Sequence, residues 1–143
     1  ESGKIDHIIL ENALDFFFNS KISKKKSFDI LDFDYSFVRG LSLNDGAATL
    51  AEFTAEIISK NISNNNIYVS GGGRKNKFLI KKIEKKINKK INMIDNLDLN
   101  GDFVESQAFA FLGIRSLLNL PISFPETTGC KEPSSGGVSV SNF

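Results

Sequence analysis

Several residues that mark specialised classes of protein are scarce in this sequence. Among 143 residues there are one cysteine, one histidine, three prolines and no tryptophan. A single cysteine, Cys130, excludes an intrachain disulfide and fits a reducing compartment, so we predict a cytoplasmic location. No apolar run approaches the ~20 residues of a transmembrane helix, and no membrane partner is predicted.

An excess of charge of one sign is also missing. The 18 basic and 17 acidic side chains leave a formal net charge of +1 at pH 7. Proteins that bind nucleic acid usually carry a larger or more polarised basic surplus, so no nucleic-acid partner is predicted. The sequence begins Glu-Ser-Gly-Lys, with neither an initiating Met nor a signal-peptide pattern. We therefore expect a piece of a longer protein.

What is present is an ordinary globular composition, with 41% hydrophobic and 24% charged residues. Apolar periodicity predicts helices over residues 5–18, 42–62, 76–91 and 102–120, and short strands within 67–73 and 91–95. Helices and strands in this order predict an α/β fold with parallel strands and right-handed crossovers. Because two strands make a poor sheet, we expect the missing strands to lie upstream.

The helical patterns also predict which side chains form the core. Lysines fill the polar face of the third helix and form a separate run at residues 24–26, in the loop between the first two helices. Without interleaved aromatic side chains, these lysines are typical of solvated surfaces. The predicted core positions are Phe16, Phe17, Ala47, Leu50, Ala51, Thr54, Ile57, Ile58, Leu79, Ile80, Ile83, Ile87, Ile91, Val104, Ala108, Phe111, Leu112 and Leu118.

The stretch YVSGGGRKN, residues 68–76, places three glycines between a strand and a helix. Ordering glycine is costly, so three together need a reason. A glycine turn before a helix lets a phosphate or a flat base approach the backbone, and the helix dipole favours an anion. The pattern is neither GxGxxG nor a P-loop. From the residues alone, a ligand-binding turn and a plain tight turn remain alternatives.

The stretch GDFVES, residues 101–106, contains two carboxylates three positions apart. Asp102 and Glu105 have the spacing of a helix-capping pair, with Asp102 as the N-cap. A carboxylate at a helix start beside the strand ends could instead orient water, a sugar hydroxyl or hydrated Mg²⁺. Both interpretations remain open at this point.

Four blocks in series resemble the C-terminal part of the anhydro-N-acetylmuramic acid kinases, a family of the sugar-kinase, heat-shock-protein and actin superfamily. They are GLSLNDGAATLAEFTAEII (residues 40–58), VSGGGRKNKFL (69–79), GDFVESQAFAFLG (101–113) and PETTGCKEP (125–133). The resemblance implies that residues 1–143 end one actin-like (ribonuclease H-like) ATPase lobe, with an incomplete sheet flanked by helices. Matched to the family's glycine motif, the nucleotide-binding residues would be Gly71, Gly72, Gly73, Arg74 and Asn76.

The family that this chain resembles phosphorylates 1,6-anhydro-N-acetylmuramic acid with ATP and Mg²⁺ and opens the anhydro ring with water. The product, N-acetylmuramic acid 6-phosphate, is part of peptidoglycan recycling. Glu105 matches an acidic residue on the substrate side of the cleft. Where the family usually has a small residue and then Arg, this chain has Arg74 and Lys75. The resemblance also implies a homodimer.

Two motifs of the family are not in this sequence: an Asp-Gly-Thr phosphate loop and the Asp-Thr-Gly-Pro motif that supplies the catalytic base. We therefore expect both upstream and expect no turnover from these residues alone. Two alternatives stay open. One is a different actin-like sugar kinase or ATPase, and the other is a non-catalytic α/β module that binds an anionic partner through its lysine-rich helix.

Overall fold

A computed structural model describes residues 2–24, 28–63, 66–138 and 140. It confirms the predicted α/β class, although the chain is mostly helical. The four predicted helices and both strands are present. The elements are α1 (His7–Asn19), α2 (Leu43–Asn61), β1 (Tyr68–Val69), α3 (Lys77–Ile87), β2 (Asn92–Met93), α4 (Val104–Leu117) and α5 (Pro125–Thr128).

Side-chain caps fix where the first helices begin. The Asp6 carboxylate accepts a hydrogen bond from the N–H of Ile9 at 3.0 Å and starts α1. The Ser42 hydroxyl accepts from the N–H of Asp45 at 3.2 Å and starts α2, as predicted. The loop between them contains three short 3₁₀ turns. Two of the three lysines in the run at residues 24–26 lie outside the described residues.

The two strands form a parallel pair joined through α3. Tyr68 lies opposite Asn92, and Val69 lies opposite Met93. Within the described ranges no third strand joins this sheet. Because the carboxyl ends of parallel strands share one edge, the segments that follow β1 and β2 are brought together.

Helix α2 lies between two apolar clusters. On one side Phe53 and Ile57 pack with Leu10 and Phe17 of α1. On the other side Ala55 packs with the isoleucines of α3 and with the residue before β2. The buried isoleucines of this second cluster are Ile80, Ile83 and Ile91, all of which were predicted core positions.

The core positions predicted for α2 are mostly wrong. Of the six, only Ile57 is buried, Ala47 and Ile58 are exposed, and the other three are half-buried. Since neighbours contact α2 from two sides, its buried positions do not fall on one stripe. In α1, Phe17 is buried whereas Phe16 points into solvent. The buried residues of α2 are Gly46, Ala48, Thr49, Phe53, Ala55 and Ile57.

Helix α4 forms as predicted but does not bury its apolar side chains. None of its residues is fully buried. Phe111 and Leu118, two predicted core positions, are largely exposed, and so are Phe109 and Leu117. A periodic sequence pattern indicates that a helix has an apolar face, but that face is buried only where another element packs against it. The described part of the chain does not supply one for α4.

Two other details differ from the sequence prediction. The tail contains the short helix α5, which begins with Pro125 at its first turn and ends at Gly129 in the left-handed conformation. Lys82 and Lys86 of α3 do not face open solvent, because they form ion pairs with Glu52 and Glu56 of α2. None of the described helices is both long and apolar enough to cross a membrane.

The ion pairs between α2 and α3 are partly shielded from water. Burial alone would raise the pKa of Glu52, but hydrogen bonds from Lys82 and Lys86 outweigh it, and the pKa falls below its ordinary value. Burial opposes the charge on Lys86 as well, and the hydrogen bonds to Glu52 and Glu56 raise its pKa. This network fixes α3, and with it the turn that precedes α3, against α2.

We predict that Thr49→Val destabilises the protein by about 1–3 kcal/mol. The Thr49 hydroxyl is fully buried and accepts a hydrogen bond from the N–H of Asp6 at 3.0 Å. Valine keeps the shape but leaves that N–H without a partner. Denaturant unfolding would measure the change. Thr54→Val on the same helix is the control, because Thr54 only bonds back to the Leu50 carbonyl. Equal losses in both variants would contradict the prediction.

Candidate functional site

The glycine turn follows β1 and leads directly into α3. Gly71 has φ 74° and ψ −177°, a conformation that is essentially restricted to glycine. A 3₁₀ turn, Gly72–Lys75, connects it to the helix. The N–H of Gly71 donates to the carbonyl of Gly101 at 2.9 Å, which ties the turn to the loop before α4. Backbone geometry alone therefore explains the first glycine.

The next two glycines have no such explanation within the chain. Neither Gly72 nor Gly73 has a positive φ, and a Cβ atom at either position would meet no described atom within 4 Å. Both are exposed. Alanine would fit there and would lower the entropy cost of folding. Packing in the described part of the chain thus does not require glycine at these two positions, and glycine there keeps the backbone accessible.

The side chain of Arg74 is buried against the glycine turn and does not extend into solvent. Its side chain is only 9% exposed. Its Nε donates to Asp95 Oδ2 at 3.0 Å, and its Nη1 donates to Asp102 Oδ1 at 2.6 Å and to the Gly71 carbonyl at 3.0 Å. We call the side chains of Asp95, Arg74 and Asp102 the arginine clamp. It joins the glycine turn to the segments after β2 and before α4.

The clamp favours the charged forms of all three groups. Hydrogen bonds from Arg74 and then from Lys75 hold the pKa of Asp102 far below its ordinary value. Arg74, followed by the N–H of Gly101, lowers the pKa of Asp95. The two carboxylates in turn raise the pKa of Arg74. Charge-assisted pairs with this fork geometry are more directional than a lysine contact would be.

Two members of this arrangement were not found from the sequence. Asp95 lies two residues after the end of β2, so its position at the shared carboxyl edge of the strands was the available signal. Gly101 is buried, and a Cβ atom there would lie 2.5 Å from Arg74 Nε and 2.9 Å from Asp95 Oδ2. Its lack of a side chain allows the guanidinium to approach the backbone.

Lys75 and Asn76 occupy the outer side of the turn. The Lys75 side chain is 64% exposed and its Nζ lies 2.9 Å from the Asp102 carboxylate. The Asn76 Oδ1 accepts from the N–H of Leu79 at 3.1 Å and caps α3. Asn76 also borders a cavity of about 250 Å³ beside the start of α2. Both side chains are accessible to a molecule bound at the turn.

The capping interpretation of GDFVES is wrong. The N-cap of α4 is Phe103, which makes no side-chain capping bond, and the Asp102 carboxylate is held by the clamp instead. Glu105 lies in the first turn of α4 and is exposed. Within the described residues it has no hydrogen-bond or ion-pair partner, so its carboxylate is available for another task. Residues 2–24, 28–63, 66–138 and 140 contain no group of three or more possible metal ligands.

The arrangement therefore has three chemical capacities. Gly72 and Gly73 expose backbone at a strand-to-helix turn, where amide groups and the dipole of α3 favour an anion. Lys75 adds a solvent-accessible positive charge. Glu105 adds an accessible carboxylate at the start of α4, which the clamp holds beside the turn.

We predict that Asp102→Asn makes the free energy of unfolding depend less on pH below about pH 4. The folded pKa of Asp102 is depressed, so its contribution is complete above its ordinary value of 3.8 and is lost as pH falls through the folded value. The difference in unfolding free energy between wild type and variant should be constant near neutral pH and shrink below about pH 4. Denaturant midpoints across this range would measure it, with Asp98→Asn as the control. A difference that grows on acidification would contradict the prediction.

Comparison with known proteins agrees with the resemblance carried by the four sequence blocks. The family model of anhydro-N-acetylmuramic acid kinase matches residues 1–142. The enzyme of that name from Pelagibacter ubique is 51% identical over 99% of this chain and 40% of its own length. Those from Zymomonas mobilis and Rhizobium rhizogenes are 38% and 39% identical, over 94% and 95% of this chain and 38% of each relative.

The chain thus spans about two fifths of the length of the curated relatives it matches. The alignment is nevertheless nearly complete on the side of this chain, and it includes the glycine turn, the arginine clamp and the start of α4. The chain belongs to the anhydro-N-acetylmuramic acid kinase family.

Proposed function

We propose that this chain forms part of the ATP site of a kinase that acts on 1,6-anhydro-N-acetylmuramic acid. The observation that carries the proposal is the glycine pair Gly72–Gly73, whose missing side chains have no explanation in the described packing. A nucleotide lying against the turn would supply that explanation, because any Cβ atom there would separate it from the backbone.

The reaction proposed for the intact protein couples two bond changes. A water oxygen attacks the anhydro carbon and the ring C–O bond breaks. The released sugar oxygen then takes the γ-phosphoryl group, leaving ADP and N-acetylmuramic acid 6-phosphate. Catalysis of this type depends on positioning and on stabilisation of negative charge. Mg²⁺ would accompany ATP as the ion on its phosphates.

Within this reaction the described residues have separate tasks. The turn of Gly71, Gly72 and Gly73 would hold the nucleotide, and the free amide hydrogens of Asn76 would donate to it. Glu105 would orient water or a hydrated Mg²⁺ from the start of α4. Its exposure and its lack of a partner in the described chain support this role. The base that activates water, and a second phosphate loop, are assigned to residues outside this sequence.

The same proposal extends to the fold and to the biological setting. We place the chain at the C-terminal end of an actin-like lobe, whose further strands would extend the pair β1 and β2. We likewise propose a homodimer and a cytoplasmic role in peptidoglycan recycling, for which family membership is the support. The names of the curated relatives support the choice of an anhydro amino sugar over other sugar substrates.

The first test is Gly72→Val in the full-length protein. The new side chain enters open space in the described fold, so we expect little change in Tm without nucleotide. We expect ATP affinity to fall by roughly tenfold or more, because the side chain occupies the space of the ligand. Gly71→Ala is the contrasting variant, since its φ of 74° makes it lose folding stability. Unchanged ATP affinity in Gly72→Val would overturn the nucleotide role of the turn.

The second test is Glu105→Gln in the full-length protein. We expect kcat for the anhydro sugar to fall by about 10²-fold or more, while Tm and the Kd for ATP stay close to those of wild type. The reason is that the carboxylate makes no contact that supports the described fold. Phosphate transfer to another sugar, with none to the anhydro sugar, would instead identify a different actin-like kinase. A parallel loss of Tm and ATP affinity would count against the proposed role of Glu105.

A further inference from the structure

We propose that the two neighbouring cations of the glycine turn have different tasks: Arg74 positions the turn, and Lys75 contacts the phosphates of the nucleotide. This inference rests on the proposed function, since it assigns roles inside the same nucleotide site. The match to the family's glycine motif placed Arg74 among the nucleotide-binding residues and assigned no role to Lys75.

The contacts of Arg74 leave it poorly suited to meet a ligand. Its Nε and Nη1 atoms both donate to carboxylates, and Nη1 also donates to the Gly71 carbonyl. The guanidinium is 9% exposed. To reach a phosphate it would have to leave both carboxylates, and Asp95 would be left without its cation. A charge held this way stabilises the turn and the start of α4 but is neutralised locally.

Lys75 has the opposite character. Its side chain is 64% exposed, and its Nζ lies 2.9 Å from both oxygens of the Asp102 carboxylate. Exposed ion pairs of this type are weak, so the ammonium group can be redirected at little cost. Asp102 would remain paired with Arg74 after Lys75 moves away. The clamp therefore frees Lys75 for an anion while keeping the loop before α4 in place.

The backbone at Gly101 is also shaped to accommodate the arginine clamp. A side chain at this position would overlap the guanidinium, with its Cβ atom 2.5 Å from Arg74 Nε. The N–H of Gly101 also donates to Asp95 Oδ1 at 3.2 Å, and its carbonyl accepts from the N–H of Gly71. The backbone on both sides of Arg74 is thus arranged around the ion pairs.

The test compares Arg74→Gln with Lys75→Gln in the full-length protein. Both replace a cation with the same neutral amide, so they are matched in charge. Two quantities are measured: Tm without nucleotide, and Kd for adenosine, ADP and ATP by direct binding. For Lys75→Gln we expect an unchanged Tm, an unchanged Kd for adenosine and a loss of ATP affinity of about tenfold. That loss should diminish as salt is raised.

For Arg74→Gln we expect a lower Tm and weaker binding of adenosine as well as of ADP and ATP. A displaced turn affects every ligand that lies against it, whereas a lost phosphate contact leaves the Kd for adenosine unchanged. Arg74→Lys should not restore Tm, because an ammonium group cannot bridge both carboxylates and the Gly71 carbonyl in one plane. If Arg74→Gln does not fold, Asp95→Asn replaces it and should also weaken adenosine binding.

The results separate the two proposals. An unchanged Kd for adenosine in Arg74→Gln, or no effect of Lys75→Gln on ATP, overturns the division of tasks while leaving the nucleotide site in place. Restoration of Tm by Arg74→Lys also overturns it. If the wild-type protein binds neither adenosine nor ATP, the proposed function itself fails, and the division of tasks fails with it.

Discussion

The guanidinium of Arg74 connects three parts of the chain through hydrogen bonds and ion pairs. It lies where the segments after β1, after β2 and before α4 converge, and it bonds to a residue of each. Helix α4 buries none of its own residues. Its placement beside the glycine turn therefore depends on directional ion pairs and on the hydrogen bond between Gly71 and Gly101, where an ordinary helix would depend on a packed face.

The helices α2 and α3 hold the glycine turn and the arginine clamp in place. Helix α2 is held between α1 and α3 by two apolar clusters, and the Glu52–Lys82 pair belongs to an ion-pair network that also joins α3 to α2. Because α3 begins directly after the turn, its fixed position limits how far the glycines can move. The chain thus presents an accessible backbone segment on a rigid base, which is the arrangement that a nucleotide site requires.

The helices and strands could be predicted from the sequence, but the burial of the helices and the contacts of Arg74 could not. Helices, strands and the caps at Ser42 and Asn76 depend on local chemistry, which is visible in a short window. The burial of α2 on two sides and the exposure of α4 depend on which neighbours are present, and periodicity contains no such information. The glycine turn was identified as a candidate site, but the direction of Arg74 was not, because Asp95 and Asp102 lie 21 and 28 positions away.

The exposed face of α4 affects how the chain would behave as a separate molecule. Phe109, Ile114 and Leu117 remain in water, alongside Phe111 and Leu118. Exposed apolar side chains promote association between copies and are recognised by the chaperones and proteases of a cell. If these 143 residues existed as a separate molecule, self-association and proteolysis would therefore limit their lifetime, even with helices α1 to α3 fully folded.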